Sequence, residues 1–313
     1  MVAGALALAA CGAQAQTGYP VKPVRMIVPM AAGGGVDGLA RYIALQVSEA
    51  VGQPVIVDNQ SGGGGTIGVN LAVRATPDGY TLIIVNASYG ANAALRKLPY
   101  DPVTDIEPII QLGRSALLMS AHPSVPSKTV KEFVAHARAN PGKLNYGSAG
   151  AGGLGNLAGE LFKLETKVDL THVPYKGASP ALIALMAGEV QINFSSIAAT
   201  IPHVKAGKLR AIAVTTATRS TALPAVPTVA ETIPSFEVDF WYGLWGPKGL
   251  PQPVIQRWNK EVARVLQTEE LKKKMTDEGV EPVGGTPEQL RNTIRKDIQK
   301  WIRVVKEAGI TAG

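Results

Sequence analysis

A glycine-rich segment at residues 33–38 has the composition of a loop that binds an anionic group. It follows an apolar run at residues 24–28, which predicts a buried strand ended by Pro29. After it, apolar residues recur at helical spacing from Leu39 to Val47. The first amides of such a helix lack intrahelical partners and lie at the positive end of its dipole. The backbone N–H groups of this loop are therefore predicted to bind an anion.

The same segment also fits the dinucleotide-binding pattern, with Gly33, Gly35 and Gly38 at its three glycine positions. Asp58 ends the next predicted strand about 20 residues further on, where a ribose-binding acid belongs. Two features argue against binding of a dinucleotide such as NAD. Four residues separate the strand from the first glycine, and Asp37 would bring negative charge close to a pyrophosphate. We expect a smaller anion, with Asp37 as a helix cap or as the partner of an amino group on the solute.

A second segment of the same kind, residues 147–156, connects a predicted strand at 144–146 to a helix. Other polar residues follow predicted strand ends, where helix capping and ligand binding have the same sequence signature. Trp241 is interpreted as partly core, with stacking on a ligand as the alternative. The predicted ligand-binding residues are Ala31, Ala32, Gly33, Gly34, Asp37, Gly65, Thr66, Ser88, Asn92, Ser148, Ala149, Gly150, Asn156, Ser195, Ser196 and Trp241.

The sequence contains no complete pattern for catalysis or for a metal site. The segment at 147–150 lacks the residue between Gly and Ser that a hydrolase elbow requires. Gly142 and Lys143 have no P-loop glycine at the right distance upstream, and no His-Glu-x-x-His occurs. The four histidines are scattered without metal-ligand spacing. We therefore expect a binding protein with no catalytic residue, metal or cofactor.

Strands alternate with helices along most of the chain, which predicts an α/β fold. The strand predicted at 236–244 returns to the first lobe, and everything after it is predicted to be helical. This gives a discontinuous first lobe, residues 16–117 and 243–313, with a second lobe inserted at 118–242. Ligands of such sheets collect at the carboxyl ends of the strands, where the glycine loops lie.

The N-terminus has the features of an export signal. Residues 2–10 are apolar but too few to span a bilayer, and Ala13-Gln14-Ala15 fits a cleavage site, which predicts a signal peptide at 1–15 and a periplasmic protein. Alternatively, residues 8–11 form a lipobox with Cys11 acylated. Because Cys11 is the only cysteine, the mature chain has no internal disulfide and no thiol nucleophile.

The net charge of +7 agrees with an anionic partner. Basic residues are mixed with acids on predicted helices, and no basic stripe alternates with stacking aromatics, so nucleic acid is not expected as a partner.

Several segments, in order along the chain, resemble the Bug-type solute-binding proteins of tripartite tricarboxylate transporters. The resemblance covers nearly all of the mature chain. The matching segments lie at residues 29–41, 64–68, 98–102, 157–162, 173–177, 205–210 and 223–228. Two positions depart from the usual family pattern: Met30 lies where an aromatic residue is common, and Asn156 where the family often has histidine.

The resemblance implies a two-lobed type II periplasmic binding protein fold that closes on a small carboxylate held by backbone amides, hydroxyls and waters. It also implies delivery to the membrane permease subunits of the transporter, and we expect a monomer. Dicarboxylates, tricarboxylates, acidic amino acids and aromatic carboxylates all remain open as solutes. The alternatives are a sensor that docks to a kinase and a dinucleotide-dependent enzyme.

Overall fold

The structure, a computed structural model, describes residues 18–310, so the predicted signal peptide and Cys11 lie outside the described residues. Its strands are β1 (Val24–Val28), β2 (Val55–Asn59), β3 (Thr81–Asn86), β4 (Ile106–Ala121), β5 (Leu144–Ser148), β6 (Leu170–Pro174), β7 (Ile192–Ser196), β8 (Arg210–Val214), β9 (Asp239–Pro247) and β10 (Val280–Gly284). Its α-helices are α1 (Gly35–Val51), α2 (Thr66–Val73), α3 (Ser88–Leu95), α4 (Val130–Ala139), α5 (Leu154–Thr166), α6 (Ala178–Met186), α7 (Ile197–Lys205), α8 (Gln252–Leu266), α9 (Glu269–Asp277) and α10 (Pro287–Ala308).

The 16-residue strand β4 connects two sheets. Its first part, residues 106–116, pairs with β9 and β10, and β9 continues through β3 and β1 to β2. Its last part, residues 117–121, pairs with β7 and β8, and β7 continues through β5 to β6. Within each sheet the strand that precedes the glycine loop, β1 or β5, lies next to an edge strand and pairs in parallel with both neighbours.

The neighbouring parallel strands β1 and β3 are buried on both faces, which explains their apolar runs. Met26 of β1 lies in one apolar cluster with Leu39 of α1 and Trp258 of α8. The adjacent Ile27 points to the other face and lies in a second cluster with Trp301 of α10. Helices therefore cover both sides of the first sheet and hold the start of α1 at the carboxyl end of β1.

The sequence predicted α4 and α9 with the observed bounds, and it placed β8 correctly at 210–214. The last helix begins after the N-cap Thr286, has Pro287 as its first residue and ends before Gly309, as predicted. The expectation that everything after β9 is helical was wrong, because β10 pairs antiparallel with β4. This strand contains Pro282 and has a glycine on each side of its apolar residues, so its sequence has the composition of a turn.

Candidate ligand-binding site

The side chain of Asp37, the third residue of α1, supports the loop at residues 30–34. Asp37 is buried, and its carboxylate accepts hydrogen bonds from the Gly33 N–H at 2.8 Å and from Asn59 at 2.9 Å. Arg41, one turn further along α1, donates to the same carboxylate at 3.0 Å. Gly33 has a φ of +86°, which glycine adopts without strain, and Gly34 is the helix N-cap. Asp37 thus shapes the loop, and Ala31 and Ala32 remain exposed on it.

The protonation of Asp37 is linked to this loop. Burial alone raises the pKa of the Asp37 carboxyl, but the hydrogen bonds from Arg41, Gly33 and Asn59 outweigh burial and hold the pKa below its usual range. A carboxyl with a lowered pKa stabilises the fold above its unfolded-state pKa, and this contribution is lost as the pH falls through the folded-state pKa.

We therefore expect Asp37→Asn to lower the free energy of unfolding by about 1–2 kcal/mol at pH 7, because a charge-assisted network loses its anion. The difference from wild type should shrink as the pH falls below about 4. Urea denaturation at several pH values measures it. The matched control is Asp277→Asn, which removes the exposed pair with Lys273 and should cost under about 1 kcal/mol. Equal losses in the two variants at pH 7 would contradict this role of Asp37.

A second group of predicted residues surrounds a cavity of about 10 Å³ beside the first loop. Its lining includes Met30, Gly65, Thr66 and Asn92. Gly65, rather than Thr66, is the N-cap of α2, and the Thr66 hydroxyl oxygen is buried without a hydrogen-bond partner in the described structure. Asn92 of α3 donates to the Gly64 carbonyl at 2.5 Å and so fixes this glycine turn. Thr66 is therefore available as a donor in a way that a capping threonine is not.

The second glycine loop is supported by Asn156, the third residue of α5. Asn156 is buried, and its side-chain oxygen accepts from the Gly152 N–H at 2.9 Å. Its amide nitrogen donates to the Tyr146 hydroxyl at 2.7 Å, and Tyr146 donates to the Glu160 carboxylate at 2.5 Å. Lys163 pairs with Glu160 at 3.0 Å. Asn156 therefore supports its loop as Asp37 supports the first.

Ser148, at the end of β5, forms a close pair with His172 of β6. The Ser148 Oγ lies 2.7 Å from His172 Nε2, accepts from the Gly150 N–H at 3.2 Å and is 3.0 Å from the Gly150 carbonyl oxygen. The His172 ring stacks on Tyr146, with ring centroids 4.8 Å apart. Burial lowers the pKa of His172, an effect that Glu160 opposes and Lys163 reinforces.

This pair resembles a nucleophile and its base, but its surroundings give it another role. Ser148 is only 2% exposed, and its hydroxyl is engaged by both polar groups of Gly150. Among the described residues, no side chain hydrogen-bonds to His172 Nδ1 to orient the ring as catalysis requires. The geometry positions the loop at 149–150 and does not present a nucleophile to solvent.

The second glycine loop lies close to α3, which contains Asn92, and to β7, which contains Ser195. The side chain of Leu95, at the end of α3, lies so close to Gly152 that a Cβ there would be 2.8 Å from it. The start of α5 packs on the end of β7, where a Cβ on Gly155 would lie 2.5 Å from the Phe194 carbonyl oxygen. Ser195 follows directly and accepts from Asn193 at 3.1 Å. The second loop therefore packs between α3 and β7.

Three predicted residues contact a neighbouring strand end, a neighbouring helix start or the core. Ser196 caps α7 by accepting from the Ala199 N–H at 3.4 Å, and the Ser88 N–H donates to Asn86 at 3.0 Å. Trp241 is 1% exposed, and its indole N–H donates to buried Asp297 at 3.0 Å. In this structure Trp241 packs in the core and does not line an open cleft.

Sequence reasoning did not select Asn59, Tyr146, Glu160 or His172, all of which support the two loops. Tyr146 and His172 are directly opposite each other in the parallel β5–β6 pair, so strand register would have revealed their contact. Asn59 ends the strand next to β1, where side chains reach the first loop. Asp58, considered as a ribose-binding acid, is paired with Arg25 and bonded to Gln60 at 2.9 Å.

Within the described residues, no group of three or more His, Cys, Asp and Glu side chains could hold a metal ion, and no helix is long and apolar enough to cross a membrane. Two larger grooves, of about 710 and 790 Å³, contain none of the predicted binding residues. The first lies beside α1 and β2, and the second beside Tyr19 and Tyr80.

Two α/β units that share β4, each with a glycine loop at the carboxyl end of an interior strand, define a two-lobed type II periplasmic binding protein fold. The profile of the tripartite tricarboxylate transporter family receptor matches residues 39–310. Protein BugT of Bordetella pertussis is 34% identical over 295 residues, which cover 93% of this chain and 90% of that protein. The chain belongs to the tripartite tricarboxylate transporter receptor family, whose members are solute-binding proteins.

Solved structures agree with this assignment. The R. palustris protein Rpa4515, solved with adipate, is 37% identical with a TM-score of 0.77, covering 94% of this chain and 99% of that one. MatC of Rhodopseudomonas palustris, with bound malate, is 33% identical with a TM-score of 0.74, covering 92% and 100%. A TctC solute binding protein from Polaromonas, solved without ligand, is 26% identical but has a TM-score of 0.84, covering 92% and 99%.

Proposed function

We propose that this chain is a periplasmic, monomeric receptor that captures a small carboxylate between lobes at residues 16–117 with 243–313 and at 118–242. It delivers the solute to the membrane subunits of a tripartite tricarboxylate transporter and acts by binding, not by turnover. The observation that carries this proposal is the pair of glycine loops, one in each lobe, each at the start of a helix and each held by a buried side chain.

Closure of the two lobes on the solute follows from this arrangement. A solute stabilises a closed state only through contacts that the open state lacks, so both loops must contact it.

A thermal-shift screen of ligand-stripped protein tests the proposal. Malate, adipate, citrate, glutamate, benzoate and NAD are the test compounds. A solute at 100 times its dissociation constant should add about 2.7 kcal/mol of stability and raise the melting temperature. We expect one carboxylate class to do so and NAD to have no effect. A shift with NAD alone, or with none of the carboxylates, would count against a carboxylate receptor.

Two substitutions of alanine by aspartate test whether the solute binds at the first loop or whether an added negative charge anywhere on the protein weakens binding. Ala32→Asp places a negative charge on the exposed first loop and should abolish the solute-dependent shift without changing the melting temperature of the free protein. Ala206→Asp places the same charge on an exposed residue at the far end of α7 and should keep the shift. A shift that survives in Ala32→Asp would place the solute elsewhere.

A further inference from the structure

The two glycine loops have the same construction. Gly33 and Gly152 both have positive φ, +86° and +73°, and each is followed by a glycine N-cap in extended conformation. In each loop the side chain of the third helical residue accepts from the N–H of the positive-φ glycine, at 2.8 Å for Asp37 and 2.9 Å for Asn156. The backbone amides at the two helix starts are thus presented in the same way.

The supporting side chains differ in charge. Asp37 places a buried carboxylate next to the first loop. The side chain of its partner Arg41 is 54% exposed, so solvent screens the positive charge of Arg41 more strongly than the negative charge of Asp37. Asn156 places a neutral amide at the equivalent point of the second loop. The positive helix end therefore faces an adjacent negative charge in α1 and none at the same position in α5.

A relay of hydrogen bonds specifies the amide at Asn156. The Glu160 carboxylate only accepts, so the Tyr146 hydroxyl donates to it and must accept from its other partner. The partner is the Asn156 amide nitrogen, which turns the amide oxygen toward the Gly152 N–H. An aspartate at position 156 would place a carboxylate oxygen against the Tyr146 oxygen with no proton between them. The negative charge of this unit consequently stays one helical turn away from the loop.

We propose that Asn156 is a specificity-determining residue, whose neutral side chain makes the second loop the site for the solute carboxylate while the first loop receives a less negative part of the solute. This inference rests on the proposed binding of the solute between the two loops. Glu160 and Tyr146 are positioning residues that keep the loop free of negative charge.

The double variant Asn156→Asp with Glu160→Gln tests the inference. The glutamine introduced at position 160 can donate to Tyr146, and Tyr146 can then donate to the aspartate introduced at position 156. The relay and the net charge are therefore kept while the charge moves to the loop. We expect a melting temperature near that of wild type and an affinity for malate or adipate lowered on the order of 10- to 100-fold, as for one charge about 6 Å from the carboxylate. The matched control Asn145→Asp adds a charge at the opposite end of β5 and should keep the affinity.

A sulfate titration followed by NMR tests the inference independently of the proposed function. If the wild type binds neither malate nor adipate, that result counts against the proposed function alone, and the sulfate titration still decides the inference. Sulfate should shift the amide resonances of Leu154 and Gly155 more than those of Gly35 and Val36, and the double variant should lose this preference. Equal responses at the two loops, no response at either, or a double variant that binds its carboxylate within threefold of wild type would overturn the inference.

Discussion

Replacing Trp241 by alanine is expected to lower the free energy of unfolding by about 3–5 kcal/mol, the usual cost of deleting a large buried aromatic side chain. The indole is 1% exposed and packs where β9 pairs with β4. Its N–H donates to Asp297, a buried acid whose pKa is raised by burial, while Lys300 and Trp241 oppose that rise. Truncation therefore leaves both a cavity and a buried acid with one partner fewer.

The conservative variant Trp241→Phe separates packing from ligand contact. Phenylalanine keeps most of the apolar volume but has no donor for Asp297, so we expect an intermediate loss of stability and an unchanged solute affinity of the folded protein. Urea denaturation followed by circular dichroism gives the stability, and calorimetric titration gives the affinity. If Trp241→Phe keeps wild-type stability but binds solute ten times more weakly, Trp241 belongs to the binding site as the sequence alternatively suggested.

The strand, glycine loop and helix units were predictable because their signals are local. An apolar run marks β1, positive-φ glycines follow both β1 and β5, and caps such as Thr286 set helix bounds. The strand β10 was not predictable from local signals, because its pairing partner lies about 165 residues away in β4 and its own sequence contains a proline. Tertiary pairing decided the conformation of this segment.

The backbone loops of the candidate site could be predicted from the sequence, but the side chains that support those loops could not. Glycines and small residues indicate where a ligand can approach the backbone, so composition was enough to select the loops at 31–34 and 148–150 as candidates. The contacts that hold them depend on register and on which helix face is buried, as the Tyr146–His172 stack and the Tyr146–Glu160 hydrogen bond illustrate. Neither pair has a sequence signature, because its members lie on different elements.

Asp239 provides the second large expected effect. This residue begins β9 opposite Ala116, where β4 passes from one sheet to the other. Burial raises the pKa of its carboxyl to about 7; Arg114 opposes this rise, and Glu237 and Asp297 add to it. One carboxyl oxygen is buried without a hydrogen-bond partner in the described structure. Between about pH 4 and about pH 7 the Asp239 carboxyl is therefore protonated in the folded protein and ionised in the unfolded chain.

For an acid with a raised pKa, the folded state binds more protons than the unfolded state, so stability falls as the pH rises from about 4 to about 7. Asp239→Asn removes the titrating group while keeping its shape. The variant should match wild type near pH 4 and exceed it at pH 8 by up to about 4 kcal/mol, since each pKa unit corresponds to about 1.4 kcal/mol. Asp169→Asn, which makes the same substitution at an exposed acid outside β9, is the control. If the stabilities of Asp239→Asn and wild type run parallel between pH 4 and pH 8, the Asp239 carboxyl is ionised in the folded protein and burial does not govern its protonation.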